Sequence, residues 1–181
     1  MCEAWEDMTP TGFEGLKVLV VEDNKFMRSL VRELLQCVGI KDIAEAADGW
    51  TAIEHMRRDP PDLVLTDLTM APVDGLELVR HVRNHEDSPN PFLPVIMVTG
   101  HTERHRVEAA RDAGVTEFLA KPVTANKLFS RIAEIVERPR AFVRCDSYFG
   151  PDRRRRQLEN YAGPWRRTGD RQGDLQEVDV R

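Results

Sequence analysis

LKVLVVEDNKFMRSLVRELLQCVG, residues 16–39, contains two different hydrophobic periods in succession. LKVLVVE is a short, nearly continuous apolar run, the pattern of a strand buried on both faces. Asn24 follows as a helix N-cap, and then Phe26, Met27, Leu30, Val31, Leu34, Leu35 and Val38 recur at helical spacing until Gly39. One βα unit is therefore written into 24 consecutive residues.

The same alternation repeats four more times. KDIAEA leads to a helix from about Asp48 that is expected to bury Trp50, Ile53 and Met56 and to stop at Pro60 and Pro61. DLVLTD precedes a helix marked by Leu76, Leu78, Val79 and Val82. VIMVTG precedes one around Val107, Ala109, Ala110 and Ala113, closed by Gly114. TEFLA precedes a last helix, capped by Thr124, running through Leu128, Ile132, Ile135 and Val136 to Pro139. Parallel strands need crossover connections, so five βα units predict a doubly wound α/β domain with helices on both faces of a parallel sheet. The expected organisation is an N-terminal extension over 1–15, the domain over 16–138, and an extended or irregular tail over 139–181, where periodicity gives way to Gly, Pro, Arg and Asp.

The net charge of -5 argues against a surface that coats nucleic acid or anionic membrane. It is unevenly divided, with ten arginines and seven acids after Arg138, so a basic tail hangs from an acidic body. Cys2, Cys37 and Cys145 show no paired spacing, which favours a reducing cytosol over a disulfide framework or a zinc site. MCEAWEDMTP has no apolar run and no stretch of about 18 apolar residues exists, so neither a secretory signal nor a membrane span is expected. His55, His81, His85 and His105 read as surface residues without partners.

In an open parallel sheet, functional groups gather at the carboxyl ends of the strands. Those ends carry Glu22 and Asp23, Asp67, Thr99 and Lys121. Three carboxylates in one crevice call for a hard divalent cation, and Mg²⁺ suits a site that also receives a phosphate oxygen. An aspartate can be a nucleophile that forms an acyl phosphate, with an amine and a hydroxyl to stabilise phosphoryl oxygens. Acids at strand ends often only cap the next helix, but three acids, a hydroxyl and an amine in order at the strand ends outweigh that explanation.

VVEDN, TDLTMAPVDG, MVTG and FLAKP, each at a strand end, resemble the receiver domain of two-component response regulators, most of all the single-domain CheY-like ones. The resemblance implies a flavodoxin-like five-stranded sheet in the order 2-1-3-4-5. It implies Asp67 as phosphoacceptor for a histidine kinase, with Mg²⁺ held by Asp23, Asp67, the Thr69 backbone carbonyl and, through water, Glu22. Lys121 becomes the phosphate-binding amine, with a cis Lys121–Pro122 bond, and Thr99 and Phe118 the switch pair. The face made by the fourth helix, fifth strand and fifth helix becomes the protein-binding output. Thr69 and His101 fall where the family tunes dephosphorylation, and Ala71-Pro72 reverses the usual order of that loop. Such a domain catalyses its own phosphorylation and hydrolysis without being an enzyme in the turnover sense.

The tail has too few apolar positions for a helix-turn-helix core, so no DNA-binding domain is expected. It offers Arg140, Arg144, Arg153, Arg154, Arg155, Arg156, Arg166 and Arg167 for phosphates and guanine edges, Tyr148, Phe149, Tyr161 and Trp165 for stacking, and Asp146 and Asp152 as acceptors. RPRAFVRCDSYFGPDRRRR resembles the arginine-rich tails of CheY-like cyclic di-GMP effectors, which implies that dinucleotide as ligand and the flagellar motor switch as target. RNA, an acidic protein, the receiver's own acidic face, or plain solvation of a charge run also fit the composition, as does a phosphorelay intermediate for the whole chain.

Overall fold

The computed structural model describes residues 13–100, 104–145, 148–153 and 176–178. Ten elements form the predicted βα succession: β1 (Lys17–Val21), α1 (Lys25–Cys37), β2 (Asp42–Ala46), α2 (Gly49–Arg58), β3 (Leu63–Asp67), α3 (Gly75–Asn84), β4 (Val95–Thr99), α4 (Arg104–Asp112), β5 (Glu117–Ala120) and α5 (Ala125–Glu137). All pairings are parallel and the order is β2-β1-β3-β4-β5, as expected. Alternation of side chains across each strand creates two cores. Leu19, Val21, Val64, Val95 and Met97 meet α2 and α3 on one face, while Val18, Val20, Leu63, Leu65, Ile96 and Val98 meet α1 and α5 on the other.

The helix starts follow local chemistry. Asn24 Oδ1 accepts from the N–H groups of Phe26 and Met27, while Asp48 with Thr51 and Asp74 with Glu77 form reciprocal capping boxes. Burial departs from the sequence reading at four aromatic and aliphatic positions. Phe26 and Leu30 of α1 and Trp50 of α2 are exposed, Phe26 by 86% and Trp50 by 58%. At 100° per residue each lies more than about 100° round its helix from the centre of the buried stripe, which is Val31 and Leu35 in α1 and Ala52, Ile53 and Met56 in α2. Val136 is exposed in the last turn of α5. Two of the histidines read as partnerless, His81 and His85, stack on each other at 4.2 Å between ring centroids.

The domain reaches past both expected boundaries. Phe13 is buried in the α1–α5 core and packs on Phe129 at 5.7 Å between ring centroids. Beyond α5, where an extended or irregular tail was expected, a second antiparallel sheet appears from β6 (Phe142–Cys145), β7 (Tyr148–Pro151) and β8 (Gln176–Val178), in the order β7-β6-β8. The β6–β7 hairpin docks beneath the sheet, against the connections that enter β4 and β5. Phe142, Val143, Tyr148 and Phe149 are buried, and Phe92, Phe142 and Phe149 meet pairwise at 5.1–5.7 Å.

Arg83 of α3 holds this junction. Its guanidinium is buried and donates to the carbonyls of Gly114 (3.0 Å), Pro91 (2.8 Å) and Leu93 (2.7 Å), and lies 5.1 Å from the Phe142 ring centroid. Burial pulls its pKa down to about 10, so it stays charged at neutral pH. Gly114 and Gly150 let the hairpin approach: a Cβ on Gly150 would sit 2.9 Å from the Gly114 Cα and 2.7 Å from the Tyr148 hydroxyl. Arg140 pairs with the buried Glu117 of β5, Arg153 pairs with Asp112 of α4 at 3.3 Å, and the Tyr148 hydroxyl donates to the Pro151 carbonyl.

A docked hairpin contributes to stability, whereas a solvated tail does not. Phe149→Ala removes a buried aromatic and should lower unfolding stability by about 3 kcal/mol. Urea denaturation of the full-length chain checks this, and an unchanged midpoint would mean the hairpin does not pack in solution.

Candidate functional site

The carboxyl ends of β1, β3, β4 and β5 bring the expected residues to one edge of the sheet. Glu22 follows β1, with its N–H donating to the Ala46 carbonyl at the end of β2, and its side chain is buried. Asp67 is the last residue of β3 and Thr99 the last of β4, and both are buried. The Lys121 N–H donates to the Thr99 carbonyl at 2.9 Å, which places Lys121 over the ends of the other strands. The Lys121–Pro122 bond is cis, as is Ala71–Pro72.

The centre is one ammonium between two acids. Lys121 Nζ lies 3.0 Å from Asp67 Oδ1 and 3.2 Å from Glu22 Oε2. Burial lowers the Lys121 pKa, but its hydrogen bonds and charge interactions with Asp67 and then Glu22 outweigh that and raise it. The Glu22 pKa is raised, first by burial and then by the neighbouring Asp67 charge, against the pull of Lys121. One cation therefore does not fully offset two buried carboxylates.

The other predicted members are near but play unequal parts. Asp23 is exposed at the mouth between Glu22 and the α1 cap. Thr69 is exposed in the loop after β3, where its hydroxyl accepts from Arg106 of α4 at 3.2 Å. Phe118 of β5 is half-buried against the α2–α3 core. The start of α3 approaches Asp67 so closely that a Cβ on Gly75 would collide with the Asp67 carbonyl oxygen. Among the described residues no three metal-ligating side chains surround a common point, and Lys121 supplies the counter-charge. The donors themselves, carboxylates of Glu22, Asp23 and Asp67 with a Thr69 carbonyl, are hard oxygens that fit Mg²⁺, and the raised Glu22 pKa marks a need for positive charge.

The tail residues divide. Arg140 and Arg153 are held in ion pairs, Tyr148 is buried with the Arg153 guanidinium 3.7 Å from its ring centroid, and the Asp152 N–H donates to the Ala141 carbonyl. Arg144 is exposed and its guanidinium lies 4.5 Å from the Phe149 ring centroid. His101, Asp146, Arg154, Arg155, Arg156, Tyr161, Trp165, Arg166 and Arg167 lie outside the described residues. Arg83 and Arg106 were missed by sequence reasoning; each is one arginine on an amphipathic helix, with no local signal to separate it from a solvated one.

Residues 18–133 match the response regulator receiver domain. The chain is 34% identical over 125 residues to chemotaxis protein CheY-3 of Vibrio cholerae, covering 69% of this chain and 95% of that one. It is 37% identical over 123 residues to chemotaxis protein CheY of Pseudomonas aeruginosa, covering 68% and 98%. Among solved structures it is similar to the receiver domain of the histidine kinase CKI1 from Arabidopsis thaliana complexed with Mg²⁺ and BeF₃⁻, at a TM-score of 0.63 and 27% identity over 70% of this chain and 93% of that one.

The raised Glu22 pKa fixes a sign. Folding favours the protonated carboxyl; this contribution is complete below the unfolded value of about 4.3 and is lost as pH rises through the folded value. Glu22→Gln keeps a neutral group there, so its stability relative to the native chain should improve as pH rises from about 4 to 7. Urea unfolding across that range checks it; a difference that is flat with pH would contradict the assignment.

Proposed function

This chain belongs to the response regulator receiver family, and from that premise we propose a signalling module switched by phosphorylation of Asp67. The observation that carries the reading is the Lys121 ammonium 3.0 Å from Asp67 Oδ1 at the joined ends of β3 and β5. An Asp67 oxygen attacks phosphorus of a phosphohistidine on a kinase; the O–P bond forms, the N–P bond breaks, and the freed imidazole nitrogen keeps the electron pair and takes a proton from solvent water. Lys121 moves from a carboxylate oxygen to a phosphoryl oxygen. Glu22, Asp23, Asp67 and the Thr69 carbonyl would hold Mg²⁺, which when bound neutralises phosphoryl charge. The Thr99 hydroxyl, one strand away from Asp67, turns to the phosphoryl group, and Phe118 follows into the space it leaves. The surface of α4, β5 and α5 thereby changes its affinity for a downstream protein.

The product of this chemistry is a changed surface, in keeping with a signalling domain. Two of the curated relatives are chemotaxis proteins, which supports a motility target such as the flagellar motor switch. No helix among the described residues is long and apolar enough to cross a membrane. The tail is assigned to cyclic di-GMP, with Arg144 beside the Phe149 ring and the run Arg154 to Arg156 as the contacts to guanine and phosphate; Arg140 and Arg153 would have to leave their ion pairs to join them.

Phosphoryl uptake from acetyl phosphate should require Mg²⁺ and disappear in Asp67→Asn, read by phosphate-affinity gel; uptake by that variant would overturn the acceptor. Titration of cyclic di-GMP into the native chain and into one with Arg154, Arg155 and Arg156 changed to alanine should show saturable binding only in the former. Equal heats in both would return the run to a solvating role.

A further inference from the structure

Arg106 is the third residue of α4, and its guanidinium donates to the Thr69 hydroxyl at 3.2 Å, its one hydrogen-bond partner among the described residues. Thr69 stands two residues beyond Asp67. The bond therefore carries a second cation, from an element other than the one that supplies Lys121, to the rim of the acceptor crevice. It also joins the first turn of α4 to the loop that leaves β3.

The charge already present makes this contact a resting position. Lys121 is shared by Glu22 and Asp67, so a single ammonium faces two carboxylates in the crevice before any modification. A phosphoryl group on Asp67 would place roughly two negative charges where the carboxylate carried one, spread over oxygens that reach further into the crevice. A charge-assisted bond from guanidinium to phosphoryl oxygen is about twice as strong as one to a neutral acceptor, and arginine can make two in parallel. The Thr69 hydroxyl is a neutral acceptor, and it cannot compete.

We propose that Arg106 is a second phosphoryl-binding cation, held on Thr69 in the resting domain and transferred to phosphoryl oxygens at Asp67, drawing the first turn of α4 toward the crevice. This rests on Asp67 as the acceptor. It gives α4 its own electrostatic link to the phosphoryl group, separate from Thr99 and Phe118. An exposed arginine that merely touches a hydroxyl would contribute little, and the two cases differ in what anion binding reads.

The probe is beryllofluoride, a non-covalent phosphoryl stand-in, titrated with Mg²⁺ into the full-length chain. Arg106→Ala should weaken its binding about tenfold with an unchanged urea midpoint, and Arg106→Lys should recover part of the loss. Thr69→Ala, which deletes the resting partner and keeps the backbone carbonyl, should tighten binding a few-fold. That gain should vanish when Arg106→Ala is added. Native affinity in Arg106→Ala, or equal weakening by both changes without rescue by lysine, would overturn the proposal. No binding by the native chain, or full binding by Asp67→Asn, would overturn the acceptor reading and the inference with it.

Discussion

The contact on which the upper edge of the sheet depends is the Lys121 ammonium between Asp67 and Glu22. It ties the ends of β5, β3 and β1, which are not all neighbours in the sheet, at a place where two buried carboxylates would otherwise repel each other. The balance is incomplete by design of the surroundings: burial raises the Glu22 pKa, while the two acids raise that of Lys121. A cluster in that condition is stable enough to fold and still gains from another cation or from a group that redistributes its protons and ion pairs. The same charges that hold the edge together thus make it responsive.

The lower edge is held by a different device. Arg83 is a buried cation whose partners are carbonyl dipoles, from the segments that lead into β4 and β5, and the face of Phe142. Leaving such a charge unsatisfied would cost several kcal/mol, so the carbonyls and the hairpin that covers them are mutually required. The consequence is that residues 140–145 and 148–153 pack as part of the domain. Through Arg140 on Glu117 and Arg153 on Asp112, the hairpin also touches β5 and α4, two elements of the surface proposed above as the output. A ligand that altered the hairpin would act on that face directly.

Legibility followed the range of the interactions. Strands such as LVLTD and caps such as Asn24 and Asp48 are decided by neighbours within a few residues, and they appear where the sequence placed them. The strand-end acids and Lys121 were legible because a parallel sheet sends every carboxyl end to one edge. Phe26, Leu30 and Trp50 were misread because near-helical spacing does not reveal how wide a stripe the sheet will cover. The hairpin left a faint signal, paired apolar residues Phe142-Val143 and Tyr148-Phe149 flanking Asp146-Ser147. The surrounding arginines masked it.

The sequence by itself determined the succession of elements, the class of the sheet and the identity of the groups at its functional edge, since these rest on local periodicity and on the chemistry of single side chains. Only the tertiary structure decided which charges meet. That Lys121 is shared with Glu22, that Arg83 is buried among carbonyls, and that Arg106 rests on Thr69 depend on distances between segments far apart in the chain. An arginine on an amphipathic helix has the same local pattern whether it ends in water or in a core, and long-range packing alone distinguishes the two.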